Sequence, residues 1–186
     1  MENEAKIPVE TQIITNQIEQ RKNYVKNFLL RSVKEDYDKY FIITILIALI
    51  LRIMVFIETK TQPIWWDAAD FLSTAKRWGL GLNIIDMWYY RRGLLWPLIE
   101  SLFFKVGLGE ISIRVLIVFL STGIIIVTYL LISELFNKKI ALLTSIGVTF
   151  SWVYLFFSGR PMTEIPSSFF LLTAILFFWN IERVIK

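Results

Sequence analysis

Residues 94–106 read LLWPLIESLFFKV, and whether this stretch crosses a membrane decides the fold. A helix of this length rises only about 20 Å, short of a bilayer core of about 30 Å. Glu100 and Lys105 interrupt it and are expected on its exposed surface. Leu95, Ile99, Leu102, Phe103 and Val106 fall on one helical face. That pattern predicts a helix lying at the membrane surface, not a span.

On either side the chain is markedly apolar. Of its 186 residues, 55% are hydrophobic and 16% aromatic. Soluble domains hold about 45–50% apolar residues even with glycine counted. Residues 40–57 (YFIITILIALILRIMVFI) form the first membrane-length run, with Arg52 near its far end. A charge there needs a partner or a route to the interface. Residues 115–133, 140–157 and 165–181 are three further spans, separated by the polar turns ELFNKK and SGRPMTE. Backbone hydrogen bonding in lipid requires helices. The expected fold is therefore all-α integral membrane: about four transmembrane helices, with juxtamembrane interfacial helices in the first outer loop, residues 58–114. Gly123 and Gly147 are expected at helix–helix contacts.

Residues 1–39 form a polar leader with apolar residues at roughly helical spacing, expected to be a surface helix on the cytoplasmic side. No secretory signal is expected, because the first apolar run begins only near residue 40. With residues 94–106 not crossing, the leader's side carries 11 of the 20 Lys/Arg and the opposite side eight. This leans toward a cytoplasmic N-terminus in a multi-pass cell-membrane protein.

Composition also narrows the chemistry. The chain has no Cys and no His. Disulfides, thiolate nucleophiles, His-type zinc sites and His-based triads are excluded. A net charge of +4 does not point to nucleic acid.

Candidate chemistry begins at residues 62–79, QPIWWDAADFLSTAKRWG, directly after the first span. A helix starting near Asp67 puts Asp67 and Asp70 on one face. Asp67 fits helix capping as well as catalysis, and Asp70 fits a solvated surface. Trp65 and Trp66 fit an interfacial aromatic belt. Arg91 and Arg92 fit headgroup contact or phosphate recognition. Glu164, before Pro166, fits a helix entry or a second carboxylate facing the first. Arg160 stands four residues earlier, as an ion-pair partner for Glu164 or a binding residue. Glu110, Arg114 and Glu134 read as loop and interface charges.

The order of these pieces resembles the N-terminal part of the GT-C integral-membrane glycosyltransferases, the protein O-mannosyltransferase and aminoarabinose-transferase kind. WWDAADFLSTAKRW, RRGLLWPLIESLFFKVG, the Phe136-Asn137-Lys138-Lys139 turn and RPMTEIPSSFFLL carry the resemblance, over about residues 40–186. Asp67 matches the Asp of the family's first-loop acidic element, whose Glu and Tyr are replaced by Ala68 and Phe71. The family's basic residue with two prolines is matched by Arg92 without the pair.

The resemblance implies transfer of a sugar from a polyprenyl-phosphate donor to an acceptor hydroxyl outside the cytoplasm, with inversion. It makes Asp67 the general base with Asp70 in reserve, Arg92 and Arg91 the stabilisers of the departing phosphate, and Glu164 the group orienting sugar or acceptor. Arg160 and Trp66 join as substrate-binding residues. No metal site is assigned, although Asp67, Asp70 and Glu164 offer oxygen ligands for a divalent ion. Family members are longer, so this chain is expected to be an N-terminal module. The alternative is a non-catalytic membrane subunit, packed against a partner chain that supplies further spans. Membrane lipid and the lipid-linked sugar are the other expected partners.

Overall fold

The computed structural model describes residues 36–64, 66–82 and 93–185. The expectations for the leader up to residue 35, for Trp65 and for Arg91 and Arg92 lie outside the described residues. Among those described, the secondary structure is entirely helical, and three helices are long and apolar enough to cross a membrane. They are α1 (Tyr37–Thr59), α4 (Glu110–Leu135) and α7 (Glu164–Ile185). Between α1 and α4 lie α2 (Trp66–Gly79) and α3 (Leu95–Lys105). Between α4 and α7 lie α5 (Lys138–Thr149) and α6 (Trp152–Phe157).

The stretch expected as a single span, residues 140–157, is thus two helices. α5 has 12 residues and α6 has six, with extended backbone at Ser151 between them. The Phe150 and Ser151 N–H groups close α5 on the carbonyls of Ile146 and Val148, and α6 starts anew with the Leu155 N–H on the Ser151 carbonyl. Thr144 Oγ1 donates to the Ile140 carbonyl, and Thr149 Oγ1 to that of Ser145. The same bond occurs inside α1, α4 and α7, which run on, so it does not by itself end α5. Gly147 itself faces open space rather than a neighbouring helix, contrary to expectation. Gly123 does sit at a contact: a Cβ there would lie 2.7 Å from the Phe169 ring on α7.

α4 is the centre. Just over half of its apolar window is buried, 56% against 22% for α1 and 11% for α7. Ile113, Ile117 and Ile124 pack with Phe71 and Leu72 of α2, Trp96 of α3 and Ile165 of α7. A second cluster joins Phe41 and Ala48 of α1, Ile125 and Tyr129 of α4 and Ala141 of α5. Arg52 meets its partner here. Fully buried, it donates from Nε to Ser121 Oγ at 2.7 Å and from Nη1 to the Ala48 carbonyl at 3.2 Å.

Polar contacts fix which ends meet. At one end, Asp38 near the start of α1 pairs with Lys138 at the start of α5 and accepts from Tyr129 near the end of α4. Asn137 closes that turn by capping α5, its side chain accepting from the Ile140 N–H at 3.0 Å. At the other end, Arg114 near the start of α4 meets Thr59, the last residue of α1, and Gly159, just past α6. The chain therefore leaves and re-enters the bundle at the same end through α2 and α3. The α5–α6 stretch runs from the Lys138 end to the Gly159 end.

α3 covers residues 95–105 as a short helix, but its polarity is inverted. Leu95, Leu98, Leu102 and Val106 are exposed, while Trp96, Pro97, Glu100 and Ser101 are buried. Glu100 was expected on the helix surface and is instead wholly buried. An apolar outer face with the polar side turned inward is what a helix lying against lipid would present. α2 and α3 meet at Gly79, where a Cβ would lie 2.6 Å from Phe104 Cβ and 2.7 Å from the Ser101 carbonyl oxygen.

Candidate functional site

The first turn of α2 and the first turn of α7 come together at the Arg114 end. Asp67 lies in the first turn of α2 and Glu164 in that of α7. Carboxylates in these positions suit the positive end of a helix dipole. Together with Trp66, Phe156, Phe157 and Met162 they line one cavity of about 420 Å³. Its walls are aromatic and apolar, with the two acids as its charged groups. That composition is the usual one for a ligand cleft: mostly apolar, with a few convergent polar groups.

Trp66 is held unusually. It is 85% exposed and has φ of +54°, a left-handed backbone that bulky side chains rarely adopt. Such a conformation costs roughly 1–3 kcal/mol and tends to occur at ligand-contacting segments. Two residues on, Ala68 is buried and lines a second, much smaller cavity.

Asp70 sits one turn further along α2, exposed, and does not line the Asp67–Glu164 cavity. Among the described residues no group of three carboxylates converges, so Asp67, Asp70 and Glu164, each able to offer oxygen ligands, are not gathered into one set.

Arg160 stands beside the acid cavity but is not tied to Glu164. It donates to the Phe156 carbonyl from Nη1 and to Gln62 Oε1 at 3.1 Å from Nη2. Its guanidinium also stacks 3.9 Å over the Phe156 ring, one wall of the acid cavity. Burial, and then the charge of Arg114, lower its pKa from the ordinary guanidinium value.

Two important groups were not legible as such. Arg114, read as a loop charge, is 2% exposed and forms the knot that fixes this end. Its Nε donates to Glu110 at 2.7 Å. Nη1 donates to the carbonyls of Thr59 at 2.8 Å and Gly159 at 3.1 Å, and Nη2 to that of Gln62 at 3.1 Å. The i to i+4 spacing of Glu110 and Arg114 was the available signal. Glu100 is the other. Neither carboxyl oxygen has a hydrogen-bond partner, although the Trp96 indole lies one turn back, and burial pushes its pKa up to about 8.

A third cavity, of about 170 Å³, is lined by Trp96 of α3 and by Thr163, Pro166 and Phe170 at the α7 entry. The arrangement offers a ligand an apolar-walled cleft lined by two carboxylates, with a guanidinium stacked on one of its rings. No family model, curated protein or solved structure matches this chain.

Proposed function

We propose that this chain is a membrane glycosyltransferase, or the N-terminal catalytic module of one, working at the outer face of a cell membrane. The observation that carries the reading is the cavity shared by Asp67 and Glu164, two acids from different helices on one apolar-walled cleft. In this reading α5 and α6 together make the fourth crossing as a broken helix, the N-terminus is cytoplasmic, and the Arg114 end faces out. The cleft then stands at headgroup level, where a polyprenyl-phosphate sugar presents its anomeric carbon.

Asp67 takes the proton of the acceptor hydroxyl as its oxygen attacks that carbon from the face opposite the phosphate. The C–O bond to phosphate breaks, the configuration inverts, and the polyprenyl phosphate departs with the bonding pair. Arg92, with Arg91, stabilises the phosphate. Glu164 holds a sugar or acceptor hydroxyl. Trp66 and the Phe156 and Phe157 rings offer flat surfaces for the sugar, and Arg160 adds positive potential from behind Phe156.

The test is reconstitution of the full chain in vesicles with radiolabelled polyprenyl-phosphate sugars and mixed acceptors. Labelled product of inverted anomeric configuration supports the reading. No product from the chain alone or with a co-purified partner overturns it.

A second reading has its own support. α7 leaves Leu171, Ile175, Phe177 and Phe178 exposed, and its window is only 11% buried. That face has room for helices of a partner chain, as a non-catalytic subunit would need. Co-purification with a larger transferase whose rate is indifferent to Asp67 would favour it.

A further inference from the structure

We propose that the third cavity binds an ester-linked membrane glycerolipid, with an ester carbonyl among its hydrogen-bond donors and an acyl chain running down α7. The cavity holds about 170 Å³, roughly ten times the room that one water needs. Leu95 and Trp96 line it from α3, and Thr163, Pro166, Ser167 and Phe170 from the α7 entry.

Its polar groups are donors that the protein leaves unanswered. Trp96 is 5% exposed, and its Nε1–H has no hydrogen-bond partner. Glu100 lies one turn further along α3, but both its carboxyl oxygens are without a partner too. An indole can only donate, so Trp96 calls for an acceptor. The Thr163 and Ser167 hydroxyls bond to no other group among the described residues. A buried donor left unmet is costly, and the bilayer core holds no water to answer it.

No lining residue of this cavity is charged. A phosphate calls for a cation, and a bare hydrocarbon offers no acceptor. An ester carbonyl is an uncharged acceptor on a molecule that is otherwise apolar at that depth.

α7 continues the site downward. Thr163, Ser167, Phe170, Ala174 and Phe177 recur at the spacing of one helical face. The last four are exposed. Hydroxyls stand at the helix entry and apolar groups below them, the order of a lipid from ester to chain. Small Ala174 leaves room on this face between Phe170 and Phe177, where a chain can lie. From Ser167 to Phe177 the face runs about 15 Å. On the α3 side, exposed Leu95 and Leu98 extend the apolar surface. The inference needs α7 in the membrane and does not rest on the glycosyl-transfer reading.

Native mass spectrometry of the full chain in detergent micelles tests it. The probes are dioleoyl phosphatidylglycerol, its diether analogue and a polyprenyl phosphate. The diester should bind about tenfold more tightly than the diether, which lacks the carbonyls. Thr163→Val with Ser167→Ala should abolish that preference, and Ala174→Trp should weaken binding of both glycerolipids. Equal affinity of the unmodified protein for diester and diether overturns the proposal. So does a preference for the polyprenyl phosphate, or glycerolipid binding unaltered by Ala174→Trp. A photoreactive residue at position 174 should capture glycerolipid in cell membranes, and capture of a polypeptide in its place overturns the site.

Discussion

Arg114 holds Thr59: its Nη1 donates at 2.8 Å to the carbonyl at which α1 ends. The same guanidinium reaches Gly159 and Gln62, so one side chain closes two segments, residues 59–62 and Gly159, over the start of α4. Arg114→Gln would leave these carbonyls and Glu110 without their donor inside the protein. The expected loss is about 3–5 kcal/mol of stability, the range for breaking a buried ion pair from one side. Exposed Lys76→Gln should change it by less than about 0.5 kcal/mol. Denaturant unfolding in micelles compares the two.

Glu100 gives stability a pH dependence of defined sign. Its folded carboxyl releases a proton near pH 8, against 4.5 ordinarily. Between those values the folded protein holds a proton that the unfolded chain has released. Rising pH therefore favours unfolding across this window, and Glu100's contribution is most favourable at its acid end. Unfolding midpoints should fall from pH 5 to pH 8, and Glu100→Gln should flatten that decline. A midpoint that rises with pH, equally in both proteins, would contradict the assignment.

Gly79 and Gly147 predict opposite outcomes for one substitution. A Cβ at Gly79 meets backbone of α3 at 2.7 Å, which cannot rotate away. Gly79→Ala should cost about 1–3 kcal/mol. Gly147 has nothing within 4 Å, so Gly147→Ala should be neutral or gain up to about 1 kcal/mol from helix propensity.

The two polar ends of the bundle predict two labelling classes. The chain has no native Cys, so single cysteines are clean probes. Cysteines at Lys60 and Lys105 should react with an impermeant reagent from one side of a sealed vesicle, and one at Lys139 from the other. Lys60 and Lys105 on opposite sides would mean that the α2–α3 region crosses.

What the sequence disclosed follows from which physics is local. The apolar runs behind α1, α4 and α7 were legible because lipid demands length and hydropathy, which are properties of a segment. So was the shortness of the helix in residues 94–106, which at 11 residues is not among those long enough to cross. The break at Ser151 was not, because a window average registers apolarity and not where a helix's hydrogen-bond series stops. Glu100 and Arg114 were misjudged for the opposite reason. A charge in a loop or on a short surface helix is usually solvated, and only tertiary packing buries these two. Asp67 and Glu164 stood out through a resemblance in motif order. Their shared cavity depends on how α2 and α7 start side by side, which no spacing encodes.

The central claim is that Asp67, and not Asp70, serves as the base in sugar transfer. The direct measurement is the single-turnover rate of transfer from a polyprenyl-phosphate sugar in reconstituted vesicles, for the unmodified chain, Asp67→Asn and Asp70→Asn. The account predicts that Asp67→Asn slows transfer by about 10²–10⁴-fold while Asp70→Asn stays within a few-fold. Transfer by Asp67→Asn at the unmodified rate would contradict it.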